Sequence, residues 1–213
     1  MPRARLIALA LVALLALAAT ATAATVRTNA TPDALRAGKA TYERQLTAGY
    51  AQATKLLDAQ LKKHPKKPTV VLDIDETTLS NWACLDAADF NLSGLATCVI
   101  QGTSKAIPAA KAFIKHARAK KVAIAFITGA PEQVCAARKK NLIAQGIPSA
   151  FTITCKPASY TTDSIVPYKS GVRKALVKKG ATIVLNVGDQ KSDLSGGTAK
   201  AFVKLPNPIY TIS

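Results

Sequence analysis

Along the chain, short unbroken apolar runs alternate with longer stretches in which apolar residues recur every three or four positions. Runs at 70–72, 122–127, 151–154 and 182–187 have the length and β-branched content of buried strands, and 201–205 follows as a further short one. Between them, the spacing predicts a helix over 106–120 with Phe113, Ile114 and Ala117 on its buried side, a helix over 132–145 closed by Gly146, and a helix over 168–179 closed by Gly180. Upstream, Thr31-Pro32-Asp33 is a helix start with Thr31 as cap and Pro32 in the first turn. The stripe of Leu35, Leu46, Tyr50, Leu56, Leu57 and Leu61 predicts one long helix or two shorter ones packed on the core.

Strands separated by helices at this period imply an α/β fold, a Rossmann-like three-layer α/β/α arrangement around a parallel sheet. Residues 24–32 read as an irregular leader, 24–68 as that leader plus an N-terminal helical extension, and 69–213 as the core. Within the core, 79–103 shows weak periodicity and many small residues, so it reads as a small cap insertion rather than core. Residues 1–23 carry Arg3 and Arg5, then the apolar run 6–19, then Ala21-Thr22-Ala23, the layout of a secretory signal peptide. That run is shorter than the roughly 20 residues a membrane-spanning helix needs. The expectation is a secreted or periplasmic protein of about 190 residues with no membrane span.

Cysteine usage agrees with export. Cys84, Cys98, Cys135 and Cys155 are an even set, which in an exported chain favours disulfides. Three pairings are possible; the local one, Cys84 with Cys98 and Cys135 with Cys155, closes two modest loops and is preferred. The cysteine spacings are wide and His64 and His116 lie far from them, which argues against zinc. The formal charge of +17 points to attraction of small anions; without interleaved aromatics it carries no specific nucleic-acid footprint. Of twelve acids, five (Asp73, Asp75, Glu76, Asp189 and Asp193) fall in two short clusters, where a cation can neutralise them.

Those clusters stand at the ends of predicted strands. The first strand runs into Asp73-Ile74-Asp75, the second into Thr128-Gly129, and a later one into Gly188-Asp189-Gln190-Lys191-Ser192-Asp193, while one helix opens with Tyr168-Lys169-Ser170. In open α/β sheets ligands gather at the carboxyl ends of strands. The strings LDIDET, FITG, YKS, NVGDQKSDL and FVKLPNPIY, in that order, resemble the haloacid dehalogenase superfamily over 69–210, and within it the exported class B and C type acid phosphatases, the branch that includes plant vegetative storage proteins.

The resemblance implies an exported, Mg2+-dependent acid phosphatase that hydrolyses small phosphomonoesters through an aspartyl phosphate. Asp73 would be the nucleophile and Asp75 the general acid and base. Thr128, Gly129 and Lys169 would hold the phosphate. The metal would take Asp73, the backbone carbonyl of Asp75, and Asp189, with Asp193 orienting a metal-bound water or pairing with Lys169. The chain departs from the family pattern at Ala130, Cys135 and Arg138, where an Arg after Thr-Gly and then an Arg and a Thr are usual; Asn141-Leu142 restores it. That departure leaves room for an alternative, a catalytically weakened phosphate-binding or storage-type protein. A phosphorylatable switch of the response-regulator kind also uses Asp, Thr and Lys on a parallel sheet, but its acceptor Asp follows a separate acidic pair. Trp82 reads as a core residue, with stacking on an aromatic leaving group as the other possibility. An insertion of about 25 residues is too small for a full lid, which predicts an open site with modest discrimination among phosphate esters.

Overall fold

The computed structural model describes residues 26–212; the expected signal peptide lies outside the described residues. No helix among them is long and apolar enough to cross a membrane. The chain opens with β1 (Val26–Thr28) and α1 (Pro32–Leu61), a single unbroken helix of 30 residues with Thr31 Oγ1 accepting from the Ala34 amide. Then follow β2 (Pro68–Leu72), β3 (Leu79–Ser80), α2 (Trp82–Ala87), α3 (Ser93–Gln101), β4 (Lys105–Ala106), α4 (Pro108–Ala119) and β5 (Ala123–Pro131). After a 3-10 turn at Glu132–Val134 come α5 (Cys135–Ala144), β6 (Phe151–Lys156), α6 (Val166–Lys178), β7 (Thr182–Gly188), α7 (Lys191–Leu194), β8 (Phe202–Lys204) and β9 (Tyr210–Ile212).

Five of these strands form one sheet in the order β6-β5-β2-β7-β8, every neighbouring pair parallel. The chain therefore builds outward from β2 through β5 to β6, returns by α6, and builds outward again through β7. The reversal lies between β2, β5 and β7, and a crevice opens above their carboxyl ends.

Side-chain alternation assigns the two faces. Val70 and Leu72 of β2, with Ile124 and Phe126 of β5, join the larger core cluster beneath α1 and α4. Val71, Ala125 and Ile127 point the other way, into a smaller cluster with Ile165, Tyr168 and Ile183 beneath α6. The long helix lies close to the sheet: a Cβ on Gly49 would stand 2.6 Å from Leu205 Cδ2, so glycine here permits the approach.

Two expectations are corrected. The leader is not irregular throughout, because Val26–Thr28 pairs antiparallel with Tyr210–Ile212 and brings the two ends of the described chain together. Nor is the stretch after Leu79 separate from the core: Leu79, Trp82, Leu85 and Phe90 are buried in the larger cluster. Apolar residues at that spacing seat α2 on α1, while α3 remains outside as the cap proper.

Both cysteine pairs are local, Cys84–Cys98 across the cap and Cys135–Cys155 between the start of α5 and β6. Non-reducing peptide mapping of the purified protein is expected to recover those two linked pairs and no free thiol. Replacing Cys135 and Cys155 by Ser should lower the unfolding free energy by about 3 kcal/mol in urea titration, the loop-closure term for a ring of this size.

Candidate active site

Each of the three central strands ends in a polar residue. β2 delivers Asp73, which is nearly fully buried, as the amide of Asp73 bonds the Val187 carbonyl of β7 and the Thr78 hydroxyl caps the Asp73 carbonyl at 2.8 Å. β7 delivers Asp189. Between them Gly188 permits the tightest approach in the fold: a Cβ there would fall 2.2 Å from Asp193 Cβ. Asp193 lies on the one-turn helix α7, fixed by a capping box in which its Oδ2 accepts from the Gln190 amide at 2.8 Å.

The carboxylates of Asp73, Asp189 and Asp193 come within 4.8 Å of one another, all buried. The side-chain cation set among them is Lys169, from the first turns of α6, which bonds Asp73 Oδ1 at 2.9 Å and also Asp193. Burial pulls the Lys169 ammonium down, but the charges of Asp193 and Asp73 outweigh it and hold it protonated. Burial pushes the Asp73 carboxyl well above the ordinary carboxylate range; Lys169 opposes this, and Asp193 and Asp189 reinforce it. Asp189 is pushed up too, by burial and by Asp193, against donors from Asn207 and Gln190. Three buried carboxylates with one ammonium are short of positive charge, and all-oxygen donors in that number suit a hard divalent cation.

Asp75 is turned differently. Its Oδ1 accepts from Asn81 Nδ2 at 2.8 Å and from the guanidinium of Arg138. Arg138 is itself wholly buried on α5 and also donates to the Ser104 hydroxyl at 2.9 Å. Burial lowers its pKa to about 10, so it stays charged at neutral pH. Thr128 ends the main run of β5; its Oγ1 accepts from the Ala130 amide at 3.0 Å, leaving its own proton free to donate. Asp73, Asp75, Thr128, Gly129, Lys169 and Asp189 all line one cleft of about 450 Å3. Asp193 is not among the lining residues and bonds Lys169, one of the two roles open to it.

Several residues at the site escaped the sequence reading. Asp189 is held by Thr77 Oγ1 at 2.9 Å, Gln190 Nε2 at 2.6 Å and Asn207 Nδ2 at 2.8 Å. Thr77 and Asn207 lie inside the strings LDIDET and FVKLPNPIY, so the signal was present without a role attached. Arg138 read only as a departure from a pattern, and it proves to be the partner of Asp75. Trp82 does not reach the cleft: it stacks on Tyr42 at 5.7 Å and meets Phe90 edge-on at 5.2 Å, inside the core.

Comparison with known proteins gives a consistent result. The model of the family described as HAD superfamily, subfamily IIIB (acid phosphatase), matches residues 6–213. Vegetative storage protein 2 of Arabidopsis thaliana is 46% identical over 72 residues, which are 34% of this chain and 27% of that protein. The stem 28 kDa glycoprotein of Glycine max is 32% identical over 161 residues, 71% of this chain and 63% of that one, so the chain spans less than two thirds of the length of either relative. Among solved structures, the class C acid phosphatase from Bacillus anthracis superposes with a TM-score of 0.69 at 25% identity, covering 84% of each chain.

One buried acid beside the cluster has a measurable consequence. Glu76 is fully buried, with Oε1 accepting from the Asn81 amide at 2.9 Å and Oε2 from Tyr42 at 3.3 Å. Burial raises its pKa from 4.5 to about 7, more than those donors lower it. A raised folded-state pKa stabilises below pH 4.5 and that stability is lost as pH rises toward 7. In chelator, the unfolding free energy should therefore fall across this window. Glu76→Gln should make the fall shallower by about 3 kcal/mol, read from urea titrations at several pH values.

Proposed function

The chain belongs to subfamily IIIB of the haloacid dehalogenase superfamily, the acid phosphatase family, and on that premise we propose that it is an exported, Mg2+-dependent phosphatase of small phosphomonoesters. The observation that carries the reading is the cluster of Asp73, Asp189 and Asp193 around Lys169 at the sheet's switch point. Phosphate esters are anionic and repel nucleophiles, so a site must cancel charge, align the attacking oxygen and protonate the leaving one.

In this reading Asp73 attacks phosphorus. Lys169 occupies its Oδ1, and no donor among the described residues reaches Oδ2, which is the oxygen free to attack. The ester P–O bond breaks as the aspartyl phosphate forms, and Asp75, carrying a proton taken from solvent on Oδ2, the oxygen that Arg138 and Asn81 leave free, passes that proton to the departing alcohol. Asp75 then takes a proton from water, whose oxygen attacks phosphorus and releases inorganic phosphate and Asp73. Arg138 and Asn81, both on Oδ1, hold the Asp75 carboxyl group in place for both transfers. Thr128 Oγ1 and the Gly129 amide bind phosphate oxygens, and Lys169 adds a fixed charge beside them. Asp73, the Asp75 carbonyl and Asp189 would hold Mg2+, with Asp193 positioned behind them; when bound, the ion supplies the positive charge that the carboxylates and the phosphate together lack.

Export is supported by two disulfides in a chain of this size and by the signal-like residues 1–23. The division into a helical extension over 24–68 and a core over 69–213 with its cap insertion belongs to the same reading. A storage-type protein of reduced rate is the second reading, favoured by the likeness to vegetative storage proteins. The complete carboxylate cluster weighs against it.

Purified protein assayed on p-nitrophenyl phosphate should turn over with Mg2+ and lose activity in chelator. Asp73→Asn should lower kcat by about 10³-fold or more while the circular dichroism and melting curve stay native-like. Retained turnover in that variant would overturn the nucleophile assignment, and absence of turnover in the parent protein would favour the storage reading.

A further inference from the structure

We propose that the cleft selects phosphomonoesters whose alcohol is a flexible aliphatic chain, seated along an apolar stripe of α3; this rests on the phosphatase reading above. Leu92, Leu95, Ala96, Val99 and Ile100 fall at i, i+3, i+4, i+7 and i+8, one face of the helix, and all five line the cleft that holds Asp73 and Lys169. The opposite face is committed to α2. Gly94 approaches it so closely that a Cβ would stand 2.5 Å from the Cys84 carbonyl oxygen, and Cys98 is bonded to Cys84. The helix is thereby fixed with its stripe along the cleft: Leu92 and Leu95 at the inner end also pack on the core, and Ala96, Val99 and Ile100 carry the apolar surface outward.

Packing alone does not account for that stripe. Ile100 is 68% exposed and Ala96 is exposed as well, so the outer half covers nothing within the protein. Across the cleft Val134, Ile165 and Ile212 offer further aliphatic surface. The floor is thus ionic and the walls are aliphatic. Aromatic side chains that would grip a nucleobase are spent elsewhere: Trp82 and Phe90 are buried against each other and Tyr42, and Tyr210, the one aromatic residue lining the cleft among the described residues, is itself buried. A substrate whose phosphate meets Asp73 and whose leaving oxygen meets Asp75 has the rest of its alcohol directed along those walls.

Tail contacts exist before and during bond breaking alike, so they act on KM and leave kcat little changed. In a series of n-alkyl phosphates from ethyl to octyl, kcat/KM should rise about fourfold per methylene through KM, levelling off once the tail passes Ile100 at the mouth. Hexyl phosphate should exceed both p-nitrophenyl phosphate and adenosine monophosphate. In Val99→Asn and Ile100→Asn variants the hexyl-to-ethyl ratio, measured within each protein, should collapse toward one. Binding of n-alkylphosphonates, which are not hydrolysed, should tighten along the same series in calorimetry, and this arm reads the tail site even if no ester turns over. Turnover with a flat chain-length series, or a tenfold preference for the aryl or nucleoside ester over hexyl phosphate, overturns the proposal while leaving the phosphatase reading intact. Absence of turnover on every ester with phosphonate affinity rising along the series would overturn the phosphatase reading and support the aliphatic site.

Discussion

Asp73, Asp189 and Asp193 place three negative charges within 4.8 Å of one another in a buried setting, against which the chain sets the ammonium of Lys169. Left in a low dielectric, such a set pushes its own carboxyls toward the neutral form, the direction seen at Asp73 and Asp189. Folding therefore works against the electrostatics of the site, and the surrounding structure must supply the difference. The same imbalance is what suits the site to a cation and a phosphate together.

The sheet is built to sustain that strain. Parallel pairing of β2 with β5 and β7 holds the three strand ends level, so Asp73, Thr128 and Asp189 arrive at one crevice from three segments spread over 116 positions of the chain. Apolar packing on both faces anchors each strand, with Leu72, Phe126 and Leu185 all fully buried. Donors then restrain the carboxylates one by one: Thr77, Gln190 and Asn207 on Asp189, and the Gln190 amide on Asp193; Thr77 is held in turn by Tyr50 OH on its carbonyl at 2.7 Å. Tyr50 belongs to α1, so the long N-terminal helix is tied directly to the turn that carries the first acidic motif.

What was legible in the sequence was local. Strand runs and the polar residues ending them are contiguous in the chain, and a parallel sheet with Asp73, Thr128 and Asp189 at its strand ends follows from period and order, while Lys169, on a helix, was singled out through the family resemblance. Long-range relations were not legible. The pairing of Val26–Thr28 with Tyr210–Ile212 joins two polar, weakly patterned segments from opposite ends of the chain, and neither has an apolar run to announce it. The stripe on α3 does follow a helical period, but Ser93 and Gly94 interrupt it with poor helix formers, and it faces a cleft rather than a core. Burial of Trp82 in the core was the preferred reading; its stacking on Tyr42, forty residues earlier, was not foreseen.

Arg138 shows how a departure from pattern can be absorbed by geometry. The family pattern has an Arg after Thr-Gly and a Thr at the position of Arg138. Here position 130 is Ala, and position 135, also an Arg in the usual pattern, is a Cys bonded to Cys155, which pins the start of α5 to β6. With that turn held, a long side chain one helical turn further on spans the gap to Asp75, 63 positions earlier in the chain, and finds Ser104 and Asn81 beside it. A buried guanidinium is tolerable only when its charge is matched, and the carboxylate of Asp75 matches it. The disulfide and the buried ion pair thus act on one helix: the first pins the start of α5 to β6, and the second ties its next turn to Asp75 with a positive charge.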